Sequence, residues 1–203
     1  NGHNTQGYGL YVLAKGNIAL TSVWAGGNGD DNTDSSGAYL KNINSLTKSA
    51  ITLTDCGFSF NRNDGLKVYS TGMITLKDVS ASNNQNADYG AYLNNAYPGS
   101  TAGISLLNST GRTNNFDGNQ TSVAGLYVNT YGAVVMNQTI ANDNSGGTGA
   151  EIHNQGHPTL ANNVTINYGG FNNNDLYGIY VYSKGVITAN FADCGLNDNE
   201  SNA

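Results

Sequence analysis

The chain has 203 residues and a formal charge of -6, with 8 Lys+Arg against 14 Asp+Glu, 27 Gly, 2 Pro and 33 Asn. A nucleic-acid surface is not expected, because phosphate contacts need clustered positive charge, and no apolar run approaches the roughly 18 residues of a membrane-spanning helix. So much Asn and Gly also argues against a helical protein, since both disfavour helix interiors.

Near the start, Asn4 stands five residues before Gly9, the spacing that later separates Asn144 from Gly149. Gly9 opens a predicted strand in which Leu10 and Val12 share one face, the period-2 alternation of a half-buried strand. A second strand is centred on Ile18, with Leu20 on the same face. A third, the least regular, puts Val23 and Ala25 inward, and Asn28 closes the series ten residues after Ile18. The succession returns from Gly37, Gly65, Gly90, Gly125, Gly149 and Gly178, at intervals of 28, 28, 25, 35, 24 and 29 residues. The later second strands are centred on Ile51, Ile74, Ile104, Val134, Val164 and Ile187. Inward positions of the later third strands are read as Cys56 and Phe58, Val79 and Ala81, Ser109 and Gly111, Thr139 and Ala141, Gly169 and Phe171, and Ala192 and Cys194.

Ten residues after every second-strand centre the residue is asparagine: Asn28, Asn61, Asn84, Asn114, Asn144, Asn174 and Asn197. An Asn at a bend tolerates left-handed backbone and bonds to nearby peptide groups. When identical turns stack, its amide also donates to the next Asn carbonyl, which makes a ladder. Three short strands in about 28 residues, in register and with an asparagine ladder, describe an all-β chain: a parallel β-helix of about seven coils forming one domain over 1–203. A coil cannot close its own core, so each depends on its neighbours.

The turn after the first strand alternates in length. From the glycine to the second-strand centre it takes 9 residues in odd coils, through Gly16, Gly72, Gly132 and Gly185, and 14 or 15 in even coils. Coils about 4.8 Å apart leave little room for a bulky loop on every layer, so each long loop is expected to spread over its short neighbour.

The outward first-strand positions carry Tyr11, Tyr39, Lys67, Tyr92, Tyr127, Glu151 and Tyr180. They have two readings. Stacked tyrosines cover a sheet face, or Tyr11, Tyr39, Tyr92, Tyr127 and Tyr180 form a binding platform for sugars or another protein.

The stacked coils and asparagine column resemble the right-handed parallel β-helix proteins, a group that includes pectate lyases, polygalacturonases, phage tailspikes and large bacterial surface or secreted proteins. The resemblance implies right-handed coiling and an extracellular or cell-surface location. Polysaccharide-cleaving members carry clustered Asp residues, often with Ca²⁺, and a basic residue on one face. Here the only arginines are Arg62 and Arg112, and no Asp occupies an outward first-strand site. Lyase or hydrolase activity is therefore not expected, and no catalytic residue or cofactor is assigned.

The turn holding Asp30, Asp31 and Asp34 offers oxygen ligands suited to a hard cation, but it fits no calcium-loop pattern and reads as a solvated acidic turn. His3, His153 and His157 lack zinc-ligand spacing. Cys56 and Cys194 lie five coils apart, about 24 Å at 4.8 Å per coil, too far for a disulfide, and read as buried thiols. The expected role is a rod or filament segment of a large surface protein, joined head to tail with another copy or continued into further coils. A carbohydrate-binding or adhesin module is the alternative, and a divergent polysaccharide-active enzyme a third.

Overall fold

The computed structural model describes residues 7–29, 35–43, 48–157, 159–190 and 193. The chain winds as a right-handed parallel β-helix of seven coils. The first face holds Gly7–Leu13, Ser35–Lys41, Leu66–Tyr69, Ala87–Asn94, Thr121–Asn129, Thr148–Asn154 and Ile179–Ser183. The second holds Ile18–Thr21, Ile51–Thr54, Ile74–Lys77, Ile104–Leu107, Val134–Asn137, Val164–Asn167 and Ile187–Asn190. Every strand pairs in parallel with the equivalent strand one coil away, and the second face keeps one register throughout, from Ile18 opposite Ile51 to Val164 opposite Ile187. Among the described residues no helix is long and apolar enough to cross a membrane.

The third face is narrow. Only Asn114–Asn115 and Thr139–Ile140 form strands, and single bridges continue the column through Trp24, Gly57, Ser80 and Asn115, and through Ile140, Gly170 and Asp193. Left-handed residues at both ends explain the shortness. Ser22, Asp55, Asp78, Gln138 and Tyr168 make the bend before it, and Phe60, Asn83, Asp143 and Asn173 make the bend after it, all with positive φ. A strand between two such corners has room for only a few extended residues.

The interior bears out the inward columns of the second, third, fifth and sixth coils and adds an alternation. In even coils the third face contributes phenylalanine and the first face alanine: Phe58 with Ala38, Phe116 with Ala91, Phe171 with Ala150. In odd coils the sizes exchange, with Ala81 and Leu66, and Ala141 and Leu126, all buried. Large faces small within each layer, which keeps the core volume constant, as close packing requires. Cys56 is buried, and its Sγ donates to the Thr54 carbonyl at 3.2 Å. Cys194 lies outside the described residues.

The asparagine ladder is present, with one correction. It runs Asn28, Asn61, Asn84, Asn119, Asn144 and Asn174: each Nδ2 donates to the next Oδ1, at 2.7, 2.9, 2.9, 3.1 and 2.9 Å. Each backbone N–H donates to that same Oδ1. Asn114 is not a rung. The five extra residues of the fourth coil lie before its third strand and not after it, so Asn114 and Phe116 hold the inward positions read above as Ser109 and Gly111. Asn114 is buried at the head of that strand. Its Oδ1 accepts from Val79 N at 3.0 Å and its Nδ2 donates to the Leu107 carbonyl at 2.6 Å. Asn197 lies outside the described residues.

The ladder also explains the recurrent glycine. A Cβ on Gly37 would come within 2.7 Å of Asn61 Nδ2, and one on Gly65 within 2.6 Å of Asn84 Nδ2. The asparagine amide fills the space a side chain would need, so the glycine and asparagine columns are one device.

The long and short turns interleave as expected. In even coils a buried asparagine five residues after the glycine ties the loop down. Asn42 Nδ2 donates to the Ser49 carbonyl at 2.9 Å, Asn95 Nδ2 to that of Ala102 at 2.9 Å, and Asn154 Nδ2 to that of Asn162 at 2.8 Å. In the third, fifth and seventh coils a hydroxyl takes that corner: Ser70, Thr130 and Ser183 each accept from the N–H of the turn glycine, Gly72, Gly132 or Gly185. A Cβ on Gly72 would meet the Ser49 carbonyl oxygen at 2.5 Å, so the loop of the coil before lies directly on the short turn.

Candidate functional site

Outward side chains of the first face recur every coil, about 4.8 Å apart, which is close to the thickness needed for rings to pack on rings. The structure joins them into one aromatic row. Tyr11 meets Tyr39 with ring centres 5.1 Å apart and planes 16° from parallel, and Tyr92 meets Tyr127 at 5.2 Å and 4°. All five tyrosines of the platform reading lie in this row.

Two coils break the tyrosine column, and each is bridged from two residues further along. In the third coil Lys67 takes the position, and Tyr69 closes the row, 5.2 Å from Tyr39 and 5.5 Å from Tyr92. In the sixth Glu151 takes it, and His153 stacks on Tyr127 at 5.2 Å and meets Tyr180 at 6.1 Å. The row therefore crosses all seven coils. Tyr8, Tyr89 and Tyr177 widen it: each directly precedes a glycine of the repeat, and each packs on the row. Strand alternation concealed them, but the Tyr-Gly pair at 8–9, 89–90 and 177–178 is a signal visible in the sequence.

Burial within the row disfavours phenolate. It pushes Tyr89 up to about 12, with neighbouring Tyr127 and Tyr92 adding to the shift. Tyr97, from the long loop of the fourth coil, also rises to about 12, by burial and then by Tyr92 and Tyr39. Tyr69 and Tyr127 rise for the same first cause. The two breaking charges are paired: Lys67 with Asp64, and Glu151 Oε1 with His153 Nε2 at 2.6 Å. Burial opposes the Lys67 ammonium, but the hydrogen bond and charge of Asp64 outweigh it, so its pKa is raised.

A shallow hollow of about 410 Å³ lies at the far end of the row, between the Glu151–His153 pair and Tyr177 and Tyr180. His157 belongs to the neighbouring long loop, where its Nδ1 accepts from Leu160 N at 3.0 Å.

The arginines lie elsewhere. Arg112, in the inserted turn of the fourth coil, reaches back to Asp55 at 2.6 Å and to Asp78 at 3.9 Å. Its hydrogen bond, then that of Ser22, holds the Asp55 carboxyl below its ordinary range. Asp78 in turn accepts from the N–H and Oγ of Ser109 at 2.8 and 2.7 Å. Among the described residues no group of three or more His, Cys, Asp or Glu is placed to hold a metal ion; Asp30, Asp31 and Asp34 lie outside them. Comparisons of the chain with protein-family models, with curated proteins and with solved structures gave no match.

Proposed function

We propose that this chain is a non-catalytic rod segment of a large extracellular or cell-surface protein, built to carry load along the helix axis. The single observation that carries the reading is the direction in which side chains bond. The ladder amides donate to the next coil, and the rings of the row pack on rings of the next coil, face to face in Tyr11–Tyr39 and Tyr92–Tyr127. Polar and aromatic groups are committed to holding coil on coil. A sugar platform needs an open ring face, and in the stacked pairs Tyr11–Tyr39 and Tyr92–Tyr127 those faces meet each other. The carboxylates at this surface are likewise engaged, Asp64 by Lys67 and Glu151 by His153, which supports the reading without an acid–base pair. Growth of the rod is by further coils, covalent or contributed by a second copy stacked on the axis, since parallel edges accept another strand.

The test is mechanical. Held by its two ends between folded handle domains in an optical trap, the chain is expected to yield in abrupt high-force steps. Tyr92→Ala and Asn84→Ala should each lower that force. Smooth lengthening at low force, or no change with either substitution, would refute a load-bearing role.

A further inference from the structure

On the third face, away from the aromatic row, Trp24 and Phe60 are 72 % and 69 % exposed, more than any other large apolar side chain among the described residues. Neither fits its column. Trp24 heads a series continued by Gly57, Ser80, Asn115, Ile140, Gly170 and Asp193. Phe60 stands at the left-handed position just before the ladder asparagine, with φ 62°, where other coils place Gly27, Asn83, Gly118, Asp143 and Asn173. Gly, Asn and Asp tolerate that conformation. A phenylalanine there is strained and, being exposed, gains no burial to offset the strain. Strain of this kind collects at ligand sites.

The two rings bound a groove of about 780 Å³, within the range of small-molecule sites. The six-membered ring of Trp24 rests on Gly57, whose Cβ, were there one, would collide with Cε3 and Cζ3. The indole is thus braced from below with its outer side free. The groove continues over Ser59 and Ser80, whose hydroxyls share a hydrogen bond at 3.1 Å, to Asn83 and Asp117. Asp117 is held in place: its Oδ1 accepts from Asn142 N at 2.7 Å and its Oδ2 from Asn115 Nδ2 at 3.0 Å. From the Trp24 coil to the Asp117 coil is three spacings, about 14 Å, the length of a short oligosaccharide.

Braced aromatic rings suit the C–H faces of pyranoses, and hydroxyl, amide and carboxylate groups suit their hydroxyls. No Lys or Arg lines the groove, and its one charged group is Asp117, which disfavours phosphates and uronic acids. We propose that this groove binds a neutral oligosaccharide, with Trp24 and Phe60 stacking on sugar rings and Asp117 and Asn83 taking hydroxyls. The site is independent of the rod reading, and a rod that presents it would also be an adhesive one.

Trp24 is the sole tryptophan of the chain, so its fluorescence reports this groove alone. The full chain would be titrated with the hexaoses of β-1,4-glucose, α-1,4-glucose and β-1,4-N-acetylglucosamine, with hexagalacturonate as the anionic control. A saturable blue shift is expected with at least one neutral hexaose and none with the anion. Phe60→Gly restores the residue type of its column, so it should raise Tm while weakening that hexaose by about tenfold or more, the loss typical of a stacking anchor. Unmoved emission with all three neutral hexaoses overturns the proposal and leaves the groove to a protein partner. An equal response to hexagalacturonate, or undiminished binding by Phe60→Gly, overturns it as well.

Discussion

Asn114 and Asn119 compete in the sequence for one place in the ladder, and substituting each separates a rung from a buried side chain of another kind. In Asn119→Ala, Asn84 N and Nδ2 lose their acceptor, formerly at 3.0 and 2.9 Å. The Phe116 carbonyl loses its donor at 2.8 Å, and Asn144 Oδ1 keeps only the backbone bond from residue 119. A buried group stripped of its partner costs about 1–3 kcal/mol. Three such groups around one vacated site are not additive, so the whole is expected near 3–4 kcal/mol, at the upper end for single substitutions. Asn114→Ala strips only Val79 N of its partner, since the Leu107 carbonyl keeps its bond from Asp78 N, and should cost about 2 kcal/mol. Exposed Gln85→Ala should stay within about 0.5 kcal/mol. Urea titrations followed by far-UV circular dichroism, with the slope checked for constancy, measure all three. A larger loss for Asn114→Ala than for Asn119→Ala, or losses no greater than that of Gln85→Ala, would refute the ladder energetics.

Within the second coil, Phe58→Ala should cost about 3–5 kcal/mol by leaving a cavity and Ala38→Leu about 1–3 kcal/mol by overpacking. The double variant recreates the odd-layer pairing and should cost less than the sum, and additive losses would break the size-exchange argument. In alkali, Tyr69, Tyr89, Tyr97 and Tyr127 should ionise late. Their folded pKa values lie above the unfolded value of about 10, so their contribution to stability is full below that pH and is lost as pH climbs towards about 12 at Tyr89 and Tyr97. Ultraviolet phenolate absorbance checks this, and ordinary titration of every tyrosine in the folded protein would contradict it. Asp55 works in the opposite sense: its depressed carboxyl contributes above the ordinary value of 3.8 and loses that contribution as pH falls through the folded pKa. Arg112→Ala should return the Asp55 titration, read by carboxyl NMR, towards 3.8, and an unmoved midpoint would remove Arg112 as the cause.

What the sequence disclosed is what stacking forces to repeat. Glycine and asparagine recur because each fits against the other in every coil, and the inward pairs recur because every layer needs a core. Asn114 misled because a fixed offset from the second strand assumes a fixed turn. The fourth coil runs residues 108–113 through the turn before the third strand, five more than the other coils, and another Asn happens to lie ten residues after Ile104. Asn119 precedes Gly125 by six residues, as Asn84 precedes Gly90, and packs against Gly90, as Asn84 packs against Gly65. The row was only half legible, since alternation placed the tyrosines outward but could not show that Tyr69 and His153 lean across to fill the gaps at Lys67 and Glu151. Trp24 and Phe60 were invisible for the opposite reason. They break their columns, and only the backbone angle at Phe60 and the open surface at Trp24 distinguish them from ordinary turn residues.

The alternation has a consequence for how such a chain tolerates loss of coils. From the second coil to the sixth, loop length, the Asn or hydroxyl corner, and the exchange of Phe/Ala with Ala/Leu all change together, so the repeating unit is a pair. Excising residues 65–89 removes the third coil and sets the second directly on the fourth. Phe58 then stacks on Phe116 and Ala38 on Ala91, which overfills one side of the core and leaves voids on the other. Two long loops, tied down by Asn42 and Asn95, then compete for one layer where Gly72 had made room. Excising 65–124 removes two coils and sets the second on the fifth, an even coil on an odd one, with Asn61 meeting Asn144 in the ladder and Tyr39 meeting Tyr127 in the row. In a solenoid, stability is close to a sum of coil and interface terms. The longer deletion forfeits more of those terms but keeps a native-like junction, whereas the shorter one adds overpacking and cavities at the cut. The longer deletion is therefore expected to melt as a single cooperative unit at the higher temperature, and the shorter to melt lower or in two steps. Equal melting, or the better survival of the chain lacking residues 65–89, would show that the coils are interchangeable and that the pairing of layers has no energetic weight.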